Sequence, residues 1–159
     1  MDLTSFQSSA SVTIDRDADS IYDLIADVSR MGEWSPVCTG GSYDSDDPAW
    51  FTGTNAIGDS TWETRCHVIA AERGKEFTFI NHGFEGRHEM VRWGFTLRPS
   101  GEGQTEVTQS WEVLPGYEDG FAEETNPGMT LEQRLGFMQK LALSGMPETL
   151  AKLKVAAES

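Results

Sequence analysis

The sequence predicts an α+β protein in which an antiparallel, strand-rich middle packs against a long C-terminal helix. Three observations predict it. Apolar and polar residues alternate near the start of the chain, strand-like segments separated by turn signals fill its middle, and one apolar stripe at helical spacing runs from Leu131 to Leu153. The 159 residues show no internal repeat and no shift in composition, so a single domain spanning 1–159 is expected, large enough to bury a sizeable core.

The elements follow in order. Ser9 to Asp15 places Ala10, Val12 and Ile14 on one side of a half-buried first strand. Asp17 can cap a short helix whose Ile21, Leu24, Ile25 and Val28 recur at helical spacing, and Gly32 and Pro36 bracket its end. From Val37 onward a meander is expected, punctuated by Gly40-Gly41, Asp46-Asp47-Pro48, Gly58-Asp59 and Arg73-Gly74. Its strands are read as Thr61 to Ala71, Lys75 to Asn81, His88 to Arg98 and Thr105 to Leu114, with Pro99 to Gly103 as the last hairpin loop.

Pro115 to Gly128 reads as an acidic loop, and the stretch to Met129, with Tyr117 and Phe121, is placed to act as a lid. Thr130-Leu131-Glu132-Gln133 has the form of a capping box. The helix it opens carries Leu131, Leu135, Met138, Ala142, Met146, Leu150 and Leu153 on one stripe. Pro147 lies inside it, removes one backbone bond and crowds the carbonyl of Leu143, so a kink or a division is expected there.

Twelve basic against 26 acidic residues give a net charge of -14, a field that repels phosphate backbones and anionic lipid surfaces. Nucleic acid is therefore not expected as a partner, and no window is apolar enough for membrane insertion. Two cysteines, Cys38 and Cys66, are too few for a disulfide framework and lack a neighbouring zinc-spaced pair. Reduced thiols in a cytoplasmic protein without metal or cofactor are the expectation.

Side chains alternate across a strand, so parity assigns faces. The inner face takes Trp62, Thr64, Cys66 and Val68, then Phe77, Phe79 and Asn81. It continues with Glu89, Val91, Trp93, Phe95 and Leu97, then Val107, Gln109, Trp111 and Val113. These rings could pack into a solid core. Thr64, Gln109 and Glu89 among them favour a pocket instead, because a buried polar group without a partner costs roughly 1–3 kcal/mol.

No sequence motif for covalent or metal chemistry is present: no Gly-x-Ser-x-Gly, no His-Glu-x-x-His, no phosphate-cradling loop and no Cys-x-x-Cys. Parity puts His67, His82 and His88 on the outer face, with His82 close enough to a strand end to turn toward the pocket mouth. Cys66, inward among apolar groups, is read as packing, since burial raises a thiol's pKa.

Ala26-Asp27-Val28, Glu33-Trp34-Ser35-Pro36, Phe51 to Asn55, Trp62 to Cys66, Trp93 to Pro99 and Thr105 to Glu112 together resemble one known family. This is the polyketide cyclase/dehydrase-like group of the START-related helix-grip (SRPBCC) superfamily, and the resemblance spans about Ser9 to Ala157. It implies a seven-stranded sheet wrapped around the final helix, two short helices after the first strand, and a deep cavity. The residues expected to bind a ligand are Trp34, Trp62, Thr64, Cys66, Phe77, Phe79 and Glu89, with Trp93, Phe95, Gln109 and Trp111. The helix adds Met138, Ala142 and Met146.

Function transfers poorly within so broad a superfamily. The first reading is carriage of a small hydrophobic or aromatic metabolite, such as a lipid or polyketide. The second is a cyclase or dehydratase using the same pocket, with His82 and Glu89 as its candidate acid or base. The third is an interaction module built on the acidic loops around Asp44 to Asp47 and Glu118 to Glu124. A homodimer is left open.

Overall fold

In the computed structural model, which describes residues 1–159, alternation does set the first strand: β1 (Gln7–Ile14) turns Ala10, Val12 and Ile14 toward the interior. Asp17 then caps α1 (Ala18–Ile25), its carboxylate accepting from the Ser20 amide at 3.0 Å. A 3-10 turn (Val28–Glu33), capped by Asp27, closes this helical corner. The meander follows as β2 (Cys38–Tyr43), β3 (Trp50–Ile57), β4 (Ser60–Glu72), β5 (Glu76–Asn81), β6 (Val91–Gly101) and β7 (Gln104–Val113). Two helices complete the chain, α2 (Gly116–Ala122) and α3 (Leu131–Glu158).

The seven strands form one antiparallel sheet in the order β1-β7-β6-β5-β4-β3-β2, so the first strand pairs with the last and the meander runs outward from there. Register shifts interrupt the ladders at Cys38/Gly40, Val68/Ala70 and Pro99/Gly101. Bulges of this kind bend a strand and add twist, which lets the sheet curl around α3.

Four expectations need correction. The strand expected from His88 begins only at Val91, because the Met90 amide bonds to the Asn81 carbonyl and closes residues 82–90 into a turn-rich loop. Glu89 therefore has no strand parity. The acidic stretch after Pro115 is not all loop, since Gly116–Ala122 forms α2. Pro147 does not divide the last helix, which is continuous over 28 residues. Pro147 and Leu143 both lie on the exposed side of α3, so water can take the carbonyl that the proline leaves without a donor.

The Thr130 capping box is present in both directions: Thr130 Oγ1 accepts from the Gln133 amide at 3.2 Å, and Gln133 Oε1 accepts from the Thr130 amide at 3.0 Å. From this fixed start α3 packs chiefly along β1 and, to a lesser extent, β7. The interior divides into two apolar clusters. One joins α1 and the end of α3 to the sheet through Ile21, Phe77, Leu97, Val107 and Leu153, and the other gathers Trp111, Val113, Tyr117, Leu135 and Met146.

Candidate functional site

Register places the inner-face side chains in rows across the sheet. Val68, Phe79, Trp93 and Trp111 are successive partners on β4 to β7, and Cys66, Asn81, Val91 and Val113 form a second row beside them. A third row runs Phe77, Phe95, Gln109 and Ala10. α3 holds to the β1 side of this surface, and a pocket of about 920 Å³ remains between helix and sheet.

All but Phe77 and Glu89 of the residues expected at the site border this pocket. Phe77 is on the inner face but at its closed end, packed edge-on against Tyr22 of α1 with ring centroids 6.2 Å apart. Glu89 is exposed in the loop before β6, its backbone pressed against Gly116, so it does not face the pocket. Trp62 borders the pocket from the end of the β3–β4 hairpin and is 40% exposed, so it stands at the mouth rather than in the wall.

Other residues complete the wall. Phe51 of β3 meets Phe79 edge-on at 5.1 Å, and Asn55 donates to Thr64 Oγ1 at 3.4 Å. Met31, Arg134, Tyr117 and Thr149 also border the pocket. Two of these carried a legible signal: Arg134 and Thr149 stand three residues after Leu131 and Met146 and so share their stripe. Phe51 precedes the strands to which parity assigns faces. Tyr117 belongs to α2, which read as loop.

The polar groups differ sharply between wall and mouth. In the wall, burial pushes the Cys66 thiol up to about 12, so it is a neutral packing group at neutral pH. Gln109 is only 8% exposed, and its Oε1 is buried without a hydrogen-bond partner. At the mouth, Arg134 donates to both carboxylate oxygens of Glu124 at 2.9 Å and to Tyr117 Oη at 3.3 Å. Glu123 pairs with Arg87 at 3.0 Å, tying the end of α2 to the loop after β5, and lies equally near His88 Nε2, which makes no hydrogen bond.

His82 contributes to the rim, but its ring packs with Trp50 at 5.0 Å and His67 at 6.2 Å, the outer-face arrangement expected from parity. Neither ring nitrogen has a hydrogen-bond partner, and burial holds its pKa below the ordinary value. The groups that could transfer a proton therefore cluster at the entrance, while the interior is aromatic and nearly apolar.

This architecture matches a known family. The model for the family described as polyketide cyclase / dehydrase and lipid transport matches residues 5–158. The chain belongs to this polyketide cyclase/dehydrase family. Among solved structures, a polyketide-cyclase-like protein from Corynebacterium glutamicum is 32% identical, with a TM-score of 0.65 over 94% of this chain and 89% of that one. A START superfamily protein from Mycobacterium smegmatis has a TM-score of 0.68 at 15% identity, covering 96% of this chain and 97% of that one.

An aromatase/cyclase from Streptomyces sp. R1128 has a TM-score of 0.68 at 13% identity, over 96% of this chain and 93% of that one. The last two share the helix-grip fold of the polyketide cyclase/dehydrase family, and at such identities the likeness concerns the fold alone. No curated protein matches the sequence. No helix is long and apolar enough to cross a membrane.

Proposed function

We propose that this polyketide cyclase/dehydrase family member binds and carries a small hydrophobic or aromatic molecule between its sheet and α3. The observation that carries this reading is the open volume of about 920 Å³ in front of Phe51, Phe79, Trp93, Phe95 and Trp111. Rings of this size normally fill one another's gaps at close-packed density, so a space left among them is the hallmark of a ligand site. Ligand pockets fall at roughly 300–1,000 Å³, which suits a molecule of lipid or polyketide size.

Native mass spectrometry of freshly purified protein, followed by titration of a lipid and polyketide panel through tryptophan fluorescence, tests the proposal. Saturable binding with quenching of Trp93 and Trp111 is expected. A protein that stays empty across the panel overturns it. α2 and the segment to Met129 border the entrance, so their amide hydrogen exchange is expected to slow when a ligand binds.

A second reading, a cyclase or dehydratase, is favoured by the Tyr117–Arg134–Glu124 hydrogen bonds and the nearby His88 and Glu123 on the pocket border. Such groups could shuttle protons for a folded reactive chain. Since Glu89 faces away, the groups to test are Tyr117 and His88. Unchanged turnover of an identified substrate in Tyr117→Phe and His88→Gln would remove this reading.

A further inference from the structure

We infer that Asn81 selects ligands whose enclosed part carries an uncharged oxygen acceptor, a carbonyl above all, to which its side-chain amide donates; this rests on the pocket being a ligand site. Asn81 ends β5 on the inner face, in the row between Cys66 and Val91, and borders the pocket. Its Oδ1 accepts from the Gly83 amide at 2.7 Å. That bond fixes which way the side-chain amide is turned, because only its oxygen can receive an N–H. Nδ2 is left without a partner in the protein and, unlike Gln109 Oε1, is not sealed off, so its N–H donors are open to the pocket.

Three hydroxyls on the pocket border are turned the same way. Ser35 Oγ accepts from the amides of Val37 and Cys38 at 3.2 and 2.9 Å, Thr64 Oγ1 from Asn55 Nδ2 at 3.4 Å, and Tyr117 Oη from Arg134 at 3.3 Å. None of the three donates to a protein group, so each keeps its own proton free. Inside the rim the open acceptors are fewer: Asn55 Oδ1, opposite Trp62 toward the mouth, and the Thr149 hydroxyl, which can turn either way. The protein's own N–H groups thus occupy most of the pocket's oxygens, and the donors remain. A ligand carbonyl completes this set, whereas a plain hydrocarbon displaces water from Asn81 and gives nothing back. A carboxylate is disfavoured, because the aromatic wall offers it no counter-charge and the bordering Arg87 and Arg134 are already paired with Glu123 and Glu124.

The test compares 2-acetylnaphthalene with 2-isopropylnaphthalene, two probes of one shape in which a carbonyl oxygen replaces a methyl group. Equilibrium dialysis gives both affinities, and the readout is how their ratio changes between wild type and variant, since the cost of taking each probe from water is the same in both. Asn81→Leu is expected to move the ratio roughly tenfold toward the isopropyl probe, the worth of one buried hydrogen bond. The infrared carbonyl stretch of the bound acetyl probe is expected at lower frequency in the wild type than in the variant, as a hydrogen-bonded carbonyl requires.

Asn81→Asp serves where the leucine variant does not fold, because it keeps an oxygen for the Gly83 amide while exchanging the N–H donors for a second acceptor. The ratio is expected to move in the same direction and at least as far. An unchanged ratio or an unchanged carbonyl stretch in a folded variant overturns the assignment to Asn81 and leaves the pocket standing as a ligand site. Failure of both probes to saturate the wild type overturns the ligand site itself.

Discussion

At the scale of single residues, polar groups are informative where they lack partners. Burial is the chief cause of the low pKa of His82, partly offset by Glu89, while the neighbouring His67 adds to the depression. The unfolded chain keeps an ordinary histidine near 6.5 and so binds the proton first as pH falls. Stability is thus full above that value and is lost as pH drops through the window beneath it. Melting curves from about pH 7 to pH 5 are expected to fall less steeply in His82→Leu than in the wild type; parallel curves would show that His82 does not titrate on unfolding. Parity read this residue scale well, because a strand's period of two leaves little freedom once one face is apolar. It failed at Glu89, where the chain leaves the strand before the sequence signals it. It also could not separate Phe77 from Phe79, since both face inward and only the seating of α1 decides which is covered.

At the scale of elements, glycines show where the backbone is under pressure and where it is free. Gly136 lies inside α3 with nothing within 4 Å of where a Cβ would stand, so Gly136→Ala is expected to stabilise the protein by about 0.5–1 kcal/mol in urea unfolding. Gly116 is the opposite case: a Cβ there would meet the Glu89 carbonyl oxygen at 2.5 Å, and Gly116→Ala is expected to cost about 1–3 kcal/mol by pushing α2 from the loop before β6. Equal effects of the two substitutions would show that this contact does not fix α2. The elements with strong local chemistry were legible: the Asp17 cap, the Thr130 box and the alternating strands all act within a few residues. α2 was not, because its seven residues include two glycines and follow a proline, and it is held by Tyr117 packing into the distant cluster of Leu135 and Met146. At Pro147, where a kink or a division was expected, only the division is removed by the continuous helix.

At the scale of the whole molecule, the net charge of -14 is not spread evenly over the interactions that hold the fold. Every arginine and every lysine except Lys140 already stands in an ion pair with an acidic neighbour. Many of these pairs are exposed, and an exposed pair contributes only about 0–1 kcal/mol. The acidic residues left over repel one another across the surface with no cation to offset them. That repulsion acts over distances set by the Debye length, roughly 30 Å at 0.01 M salt and 3 Å at 1 M, whereas the paired charges lie about 3 Å apart and are screened less completely. Added salt therefore removes more repulsion than attraction. The melting temperature is expected to rise by a few degrees between about 10 mM and 0.5 M sodium chloride, a shift of roughly 2–4 °C for each kcal/mol regained. A melting temperature that falls over the same range would mean that the ion pairs, those tying α2 and the loop after β5 to the pocket mouth among them, outweigh the surplus acid in holding the fold.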